Sequence, residues 1–139
     1  MTQEKAELMA SMNLKMPHFA MDTMESLLPV KKGLQMYVDA YKWIKGKWNW
    51  RNARVYCLTN FDTTFTQDMQ RIEAIQECEC WPYVMIYNKP SAPPITRRLQ
   101  RWTNFPAAYA MTKDFYAYQR ERVTKRYCEV MSDERCYSE

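Results

Sequence analysis

Glycine is nearly absent from this chain: there are two in 139 residues, at positions 33 and 46. Only glycine lets backbone approach phosphate closely without steric cost, so Gly-rich nucleotide loops are excluded. Histidine is scarcer still, with His18 alone, in the apolar stretch 16–20. A lone imidazole without a partner reads as a satisfied core or strand-end group rather than a general base. No apolar run approaches the length of a membrane span, which is about 20 residues. The opening MTQEKAELMA lacks the apolar core of a secretion signal. These absences predict a soluble, cytoplasmic protein with no membrane contact.

Cysteine is present but unpatterned. The five, at 57, 78, 80, 128 and 136, are an odd number without a framework spacing, which favours reduced thiols. Cys78 and Cys80 form a C-x-C pair, yet no further Cys or His lies close enough in sequence to complete a zinc ribbon. No metal ligands are assigned, and no triad or paired carboxylates mark a catalytic residue.

What the chain does contain is 47% hydrophobic residues, including 11 Met, 10 Tyr and 5 Trp, enough to build a core. Residues 3–12 read as a short helix capped by Thr2, and 14–20 as a strand ending at Met21-Asp22. Leu34, Tyr37, Val38, Tyr41 and Ile44 recur at helical spacing, which predicts an amphipathic helix over 31–45 stopped by Gly46. RVYCLTN at 54–60 reads as a second strand. Thr64-Phe-Thr-Gln67 fits a capping box opening a helix with Phe65, Met69, Ile72 and Ile75 on one face. The run Tyr83–Tyr87 reads as a third strand, and Pro93-Pro94 opens a helix carrying Ile95, Leu99 and Trp102. A last helix is predicted from about Thr112.

Strands alternating with helices give an α/β fold: a three-stranded parallel sheet with flanking helices. Three strands leave two edges open and one face uncovered, which is expected to carry Val55, Cys57, Val84 and Ile86. Self-association is the simplest remedy. The polar residues where strands emerge, Asp22, Asn60 and Asn88 with Tyr87, occupy the edge at which α/β proteins usually hold ligands. Each of the three polar residues also has an ordinary use as a turn former.

The segments LTNFDTT at 58–64 and PYVMIYNKPSAP at 82–93, in this order and each followed by a helix, resemble the C-terminal half of bacterial radical S-adenosylmethionine (radical SAM) proteins. The resemblance covers about residues 2–104. It implies half of a partial (β/α)6 TIM-type barrel, with the strands here as its fourth, fifth and sixth. It also implies a cofactor-binding edge: His18 and Asp22, Thr59 and Asn60, Tyr87 and Asn88 would line S-adenosylmethionine, with Asp22, Asn60, Tyr87 and Asn88 the chosen set. The family's C-x-x-x-C-x-x-C loop, which holds a [4Fe–4S] cluster, is not in this sequence. Reductive cleavage of the cofactor needs that cluster's electron, so the chain is expected to hold no cofactor of its own and to be inactive alone, a truncated or split domain. Its partner would be a second copy or a chain carrying the missing N-terminal half. ECEC at 77–80 lacks the glycine that relatives place before the third strand, and the resemblance fades after Asn104. The division is then a half-barrel over 1–104 and a divergent basic helical tail over 105–139.

An alternative function is a cofactor-free binding module. Residues 94–126 hold eight Lys and Arg against two acids. Arg97 and Arg101 lie one helical turn apart beside Trp102, a combination suited to a nucleic-acid strand or an acidic protein. Nucleic acid is the less favoured partner, because the net charge is only +4 and Trp102 also completes an apolar stripe with Ile95 and Leu99.

Overall fold

A computed structural model describes residues 1–121. The strands β1 (His18–Ala20), β2 (Arg54–Thr59) and β3 (Trp81–Ile86) form one parallel sheet in sequential order. Helix α1 (Gln3–Ser11) begins where Thr2 Oγ1 accepts the Lys5 amide at 3.3 Å, as a helix N-cap should. It lies along α2 (Leu27–Lys45), which ends at Gly46 with φ of 85°, a left-handed stop that glycine adopts without strain. A 3-10 turn at Trp50–Asn52 leads into β2. Helix α3 (Phe65–Glu77) carries the predicted capping box, with both Thr64 and Gln67 side chains bonded back to backbone. Helix α4 (Pro94–Asn104) follows β3, and a short α5 (Pro106–Met111) follows it.

Several boundaries differ from the sequence expectation, each for a local reason. The first strand spans three residues rather than 14–20: it has one neighbour, and its ladder to β2 starts only where Arg54 N–H donates to Pro17 O at 3.1 Å. Helix α2 starts at Leu27 rather than 31, because Pro29 falls in the first turn, where a missing N–H costs nothing. The third strand begins at Trp81 and includes Pro82, whose absent N–H would point away from β2. Tyr87 lies just beyond it. The helix expected from Thr112 starts at 115, where Asp114 Oδ1 accepts the amides of Tyr116 at 2.9 Å and Ala117 at 3.3 Å. An aspartate in that place caps the first turn. Ile44, expected on the buried stripe of α2, is 43% exposed.

The largest correction concerns the two faces of the sheet. Val55, Cys57 and Val84 are fully buried, in one core with Leu34, Tyr37, Ile72, Ile75 and Leu99 from the helices. Phe19, on the same face, meets the Tyr37 ring of α2 at 5.7 Å. Among the described residues the uncovered face is therefore the other one. The register places His18, Arg54, Tyr56, Leu58, Tyr83 and Met85 there. Burial alternates strictly along β2 for this reason. Past α4 the core continues through Tyr109 and Phe115, both buried against Trp102 at 5.2 and 5.5 Å.

The two sheet edges also differ. Trp81 and Tyr87 donate their amides to Ala53 O and Thr59 O, so odd-numbered residues of β3 face β2 and even-numbered ones face outward. Of the outward set, Pro82 has no N–H. Val84 N–H donates to Asn104 Oδ1 at 2.8 Å, and Asn104 Nδ2 returns a bond to Val84 O at 2.8 Å. Asn104 thus stands where the next strand would pair, contrary to the expectation of two open edges. On β1, Pro17 O and the Met21 amide bond to β2, which directs the backbone groups of His18 and Ala20 outward.

Candidate functional site

The carboxyl edge of the sheet is built from three loops. At the exit of β1, the Met21 amide donates to Tyr56 O at 2.8 Å, and Asp22 Oδ1 accepts the Leu58 amide at 3.0 Å. Asp22 therefore extends the β1–β2 ladder by one side-chain bond. At the exit of β2, Asn60 takes a left-handed φ of 59°, which asparagine tolerates better than most residues. That turn aims its Nδ2 at Tyr87 O, 3.1 Å away, and at Ser91 Oγ, 3.2 Å away. At the exit of β3, Asn88 is left-handed as well, at φ of 47°, and its carbonyl accepts both the amide and the hydroxyl of Ser91 at 2.9 Å.

Asn60, Tyr87 and Asn88 are thus joined in one cluster, closed by Ser91. Asp22 sits at the neighbouring loop, tied to β2 two residues before Asn60. Tyr87 is 53% exposed and packs edge-on against Phe61 at 4.8 Å, leaving two aromatic rings at the mouth of the sheet. Asn60's amide is committed to structural bonds, while the Asn88 side chain makes no capping bond. Of two further residues expected to face a ligand at this edge, one lies elsewhere and the other, at the end of β2, is turned into the core. His18 opens β1 at the far end of the strand, its Nδ1 3.2 Å from Tyr56 Oη. Thr59 is fully buried on the helix-covered face and donates to Met85 O at 2.9 Å.

Sequence reasoning missed the group that holds these loops together. Arg71 and Asp68 form an ion pair with side-chain exposures of 0% and 2%. Arg71 Nη1 donates to Met21 O at 3.0 Å, and Thr63 Oγ1 donates to Asp68 Oδ1 at 2.6 Å, so the pair fastens the β1 exit to the β2 exit from below. A signal was present: positions 68 and 71 each lie one helical turn before a predicted core position, 72 and 75, which puts both on the buried side of α3. Charged residues there demand a partner.

The three thiols among the described residues are buried and held protonated at neutral pH. Burial pushes Cys57 up to about 12 and Cys78 up to about 11, and it raises Cys80 further. Among the described residues no three Cys, His, Asp or Glu side chains converge as a metal site, and no helix is long and apolar enough to cross a membrane. The basic segment also differs from a binding face in two respects. Trp102 is buried with its Nε1 donating to Thr112 O at 2.8 Å, so its ring is closed to a base. Arg97 turns back onto the carbonyls of Lys89 and Pro90 at 3.3 and 3.1 Å. Residues 122–126 of that segment lie outside the described residues.

The uncovered sheet face carries its own unusual group. The Arg54 guanidinium lies 4.5 Å from the ring centroids of both Trp81 and Tyr83, and its buried Nε has no hydrogen-bond partner among the described residues. Around it His18, Tyr56 and Tyr83 pack edge-on across the three strands. Searches against protein-family models, curated proteins and solved structures found no match to the chain.

Proposed function

We propose that these residues form the C-terminal half of a radical SAM-type barrel, without a cluster of their own and inactive alone, completed by strands that are not among these 139 residues. The asymmetry of the sheet is the observation that carries this reading. All-parallel sheets occur almost only with both faces covered, yet here one face is bare among the described residues. Asn104 seals the outer edge of β3, whereas the outward groups of β1 are unoccupied among the described residues. A sheet that ends at β3 and continues beyond β1 fits a barrel whose missing strands precede these in order. Two copies joined in a six-stranded ring would need the β3 edge, so a chain supplying the earlier strands is the better partner.

The resemblance to radical SAM proteins supplies the cofactor, and the carboxyl edge supplies groups of the right kind: an exposed pair of rings to meet a purine, and the Asn88 amide. With only part of a pocket, affinity for S-adenosylmethionine is expected to be about millimolar or weaker, since few contacts offset the cost of immobilising the ligand. Titration of isotope-labelled chain, followed by amide chemical shifts, tests this. Saturable shifts at Asp22, Asn60, Tyr87 and Asn88 are expected; shifts absent from these four would reduce the cluster to a strand-and-turn scaffold.

A further inference from the structure

We propose a second ligand site at the opposite, amino-terminal edge of the sheet, suited to a planar aromatic anion of the nucleoside monophosphate class. A cavity of about 390 Å³ lies there, lined by Trp48, Asn49 and Trp50 before β2, by Gln76, Glu79 and Cys80 before β3, and by Tyr109 and Lys113. Its volume falls in the usual small-ligand range of roughly 300–1,000 Å³.

The walls are fixed by bonds that do not depend on a ligand. Trp48 Nε1 donates to Glu79 O at 2.7 Å, and Gln76 Nε2 donates to Lys113 O at 2.8 Å and to Tyr109 Oη at 3.4 Å. Trp50 packs against Tyr109 with centroids 4.9 Å apart. The aromatic surface is therefore held in place before anything binds, which lowers the ordering cost of binding.

Charge decides which ligand fits. Arg51 Cζ and Lys113 Nζ lie 5.0 and 5.6 Å from the Trp50 ring centroid. The ion pairs among the described residues are Lys31–Glu77, Lys42–Glu79 and Arg71–Asp68, so neither cation is matched by a carboxylate. The lining's one carboxylate, Glu79, already meets Lys42 at 3.1 Å. A cationic ligand would be repelled by the Lys113 ammonium, and a neutral one would leave that lining cation without an anion. An aromatic ring bearing a phosphate uses both features of the lining: an indole to stack on and a charge-assisted bond to Lys113, the lining's one cation. Asn49 Oδ1 is taken by the Arg51 amide at 2.9 Å, which leaves the Asn49 NH2 for a base edge.

The test titrates the full chain with adenosine 5′-monophosphate, adenosine, inorganic phosphate and tetramethylammonium, read by calorimetry and by the indole N–H resonances of Trp48 and Trp50. Expected are saturation by the monophosphate, binding of adenosine weaker by about tenfold, and no indole response to phosphate. Lys113→Gln, an exposed change, should weaken the monophosphate by about tenfold and leave adenosine unaltered. Equal binding of monophosphate and adenosine, preferential saturation by tetramethylammonium, or no saturation at millimolar monophosphate would each overturn the assignment. Shifts at Asn60 and Tyr87 in place of the indoles would do the same, by placing the ligand at the other edge.

Discussion

Replacing Arg71 by Met tests how the loops of the carboxyl edge are held. The substitution keeps most of the side-chain volume but removes the guanidinium, stranding Asp68 at 2% side-chain exposure and the Met21 carbonyl above it. Breaking one partner of a buried ion pair costs about 3–5 kcal/mol, and an orphaned buried carbonyl about 1–3 kcal/mol. These overlap, and the loss of Arg71 Nε, itself without a partner among the described residues, offsets part of them. A net loss of about 4 kcal/mol follows. Small domains have about 5–15 kcal/mol in total, so this is a large fraction, equivalent to a fall of roughly 10–20 °C in Tm. The double change Asp68→Leu with Arg71→Met removes both charges and should recover at least half of the loss, because apolar replacements of buried pairs are often neutral. Urea unfolding followed by tryptophan fluorescence gives each free energy. A loss below about 1 kcal/mol for Arg71→Met, or a double variant as unstable as the two single losses added together, would refute the coupled buried pair.

Other substitutions probe single features. Glu79 holds a left-handed φ of 58°. A glycine there would be unstrained, so Glu79→Gly should gain about 0.5–1 kcal/mol in the same unfolding assay. Asn104→Ala opens the β3 edge, leaves the Val84 N–H unmatched and leaves Val84 O only its 3.3 Å bond from Gln100 Nε2. It should cost about 1–3 kcal/mol and raise the apparent mass in light scattering as concentration increases. Because Cys57 is raised to about 12 and Cys78 to about 11 from the ordinary 9.0, the folded state binds these protons more tightly than the unfolded state. Their stabilisation is complete below about pH 9 and falls between there and pH 11–12; Tm measured against pH should decline over that window, less steeply in Cys57→Val. Anaerobic incubation with iron and sulfide should give no stoichiometric [4Fe–4S] absorbance, and its appearance would return attention to Cys57, Cys78 and Cys80.

The three strands, the first four helices and their order were legible in the sequence, while the short α5 was not. Periods of 3.6 and 2, the capping box at Thr64–Gln67 and the stop at Gly46 are local chemistry, expressed within a few residues of chain. Strand–helix alternation then dictated a parallel sheet, and the polar strand exits pointed to Asn60, Tyr87 and Asn88, which one hydrogen-bonded cluster does join. Which face of the sheet is bare was not legible. Alternation along β2 and β3 separates two sets of residues but cannot say which set meets the helices. Both sets contain large apolar groups, and the choice rests on crossovers that place Tyr37, Ile72 and Leu99 over Val55, Cys57 and Val84. The same holds for Arg71 on the Met21 carbonyl and for Asn104 on Val84: each joins segments far apart in the chain, through side chains and backbone groups that no local pattern pairs. Distance along the chain hides such contacts, because their partners are set by how the layers pack.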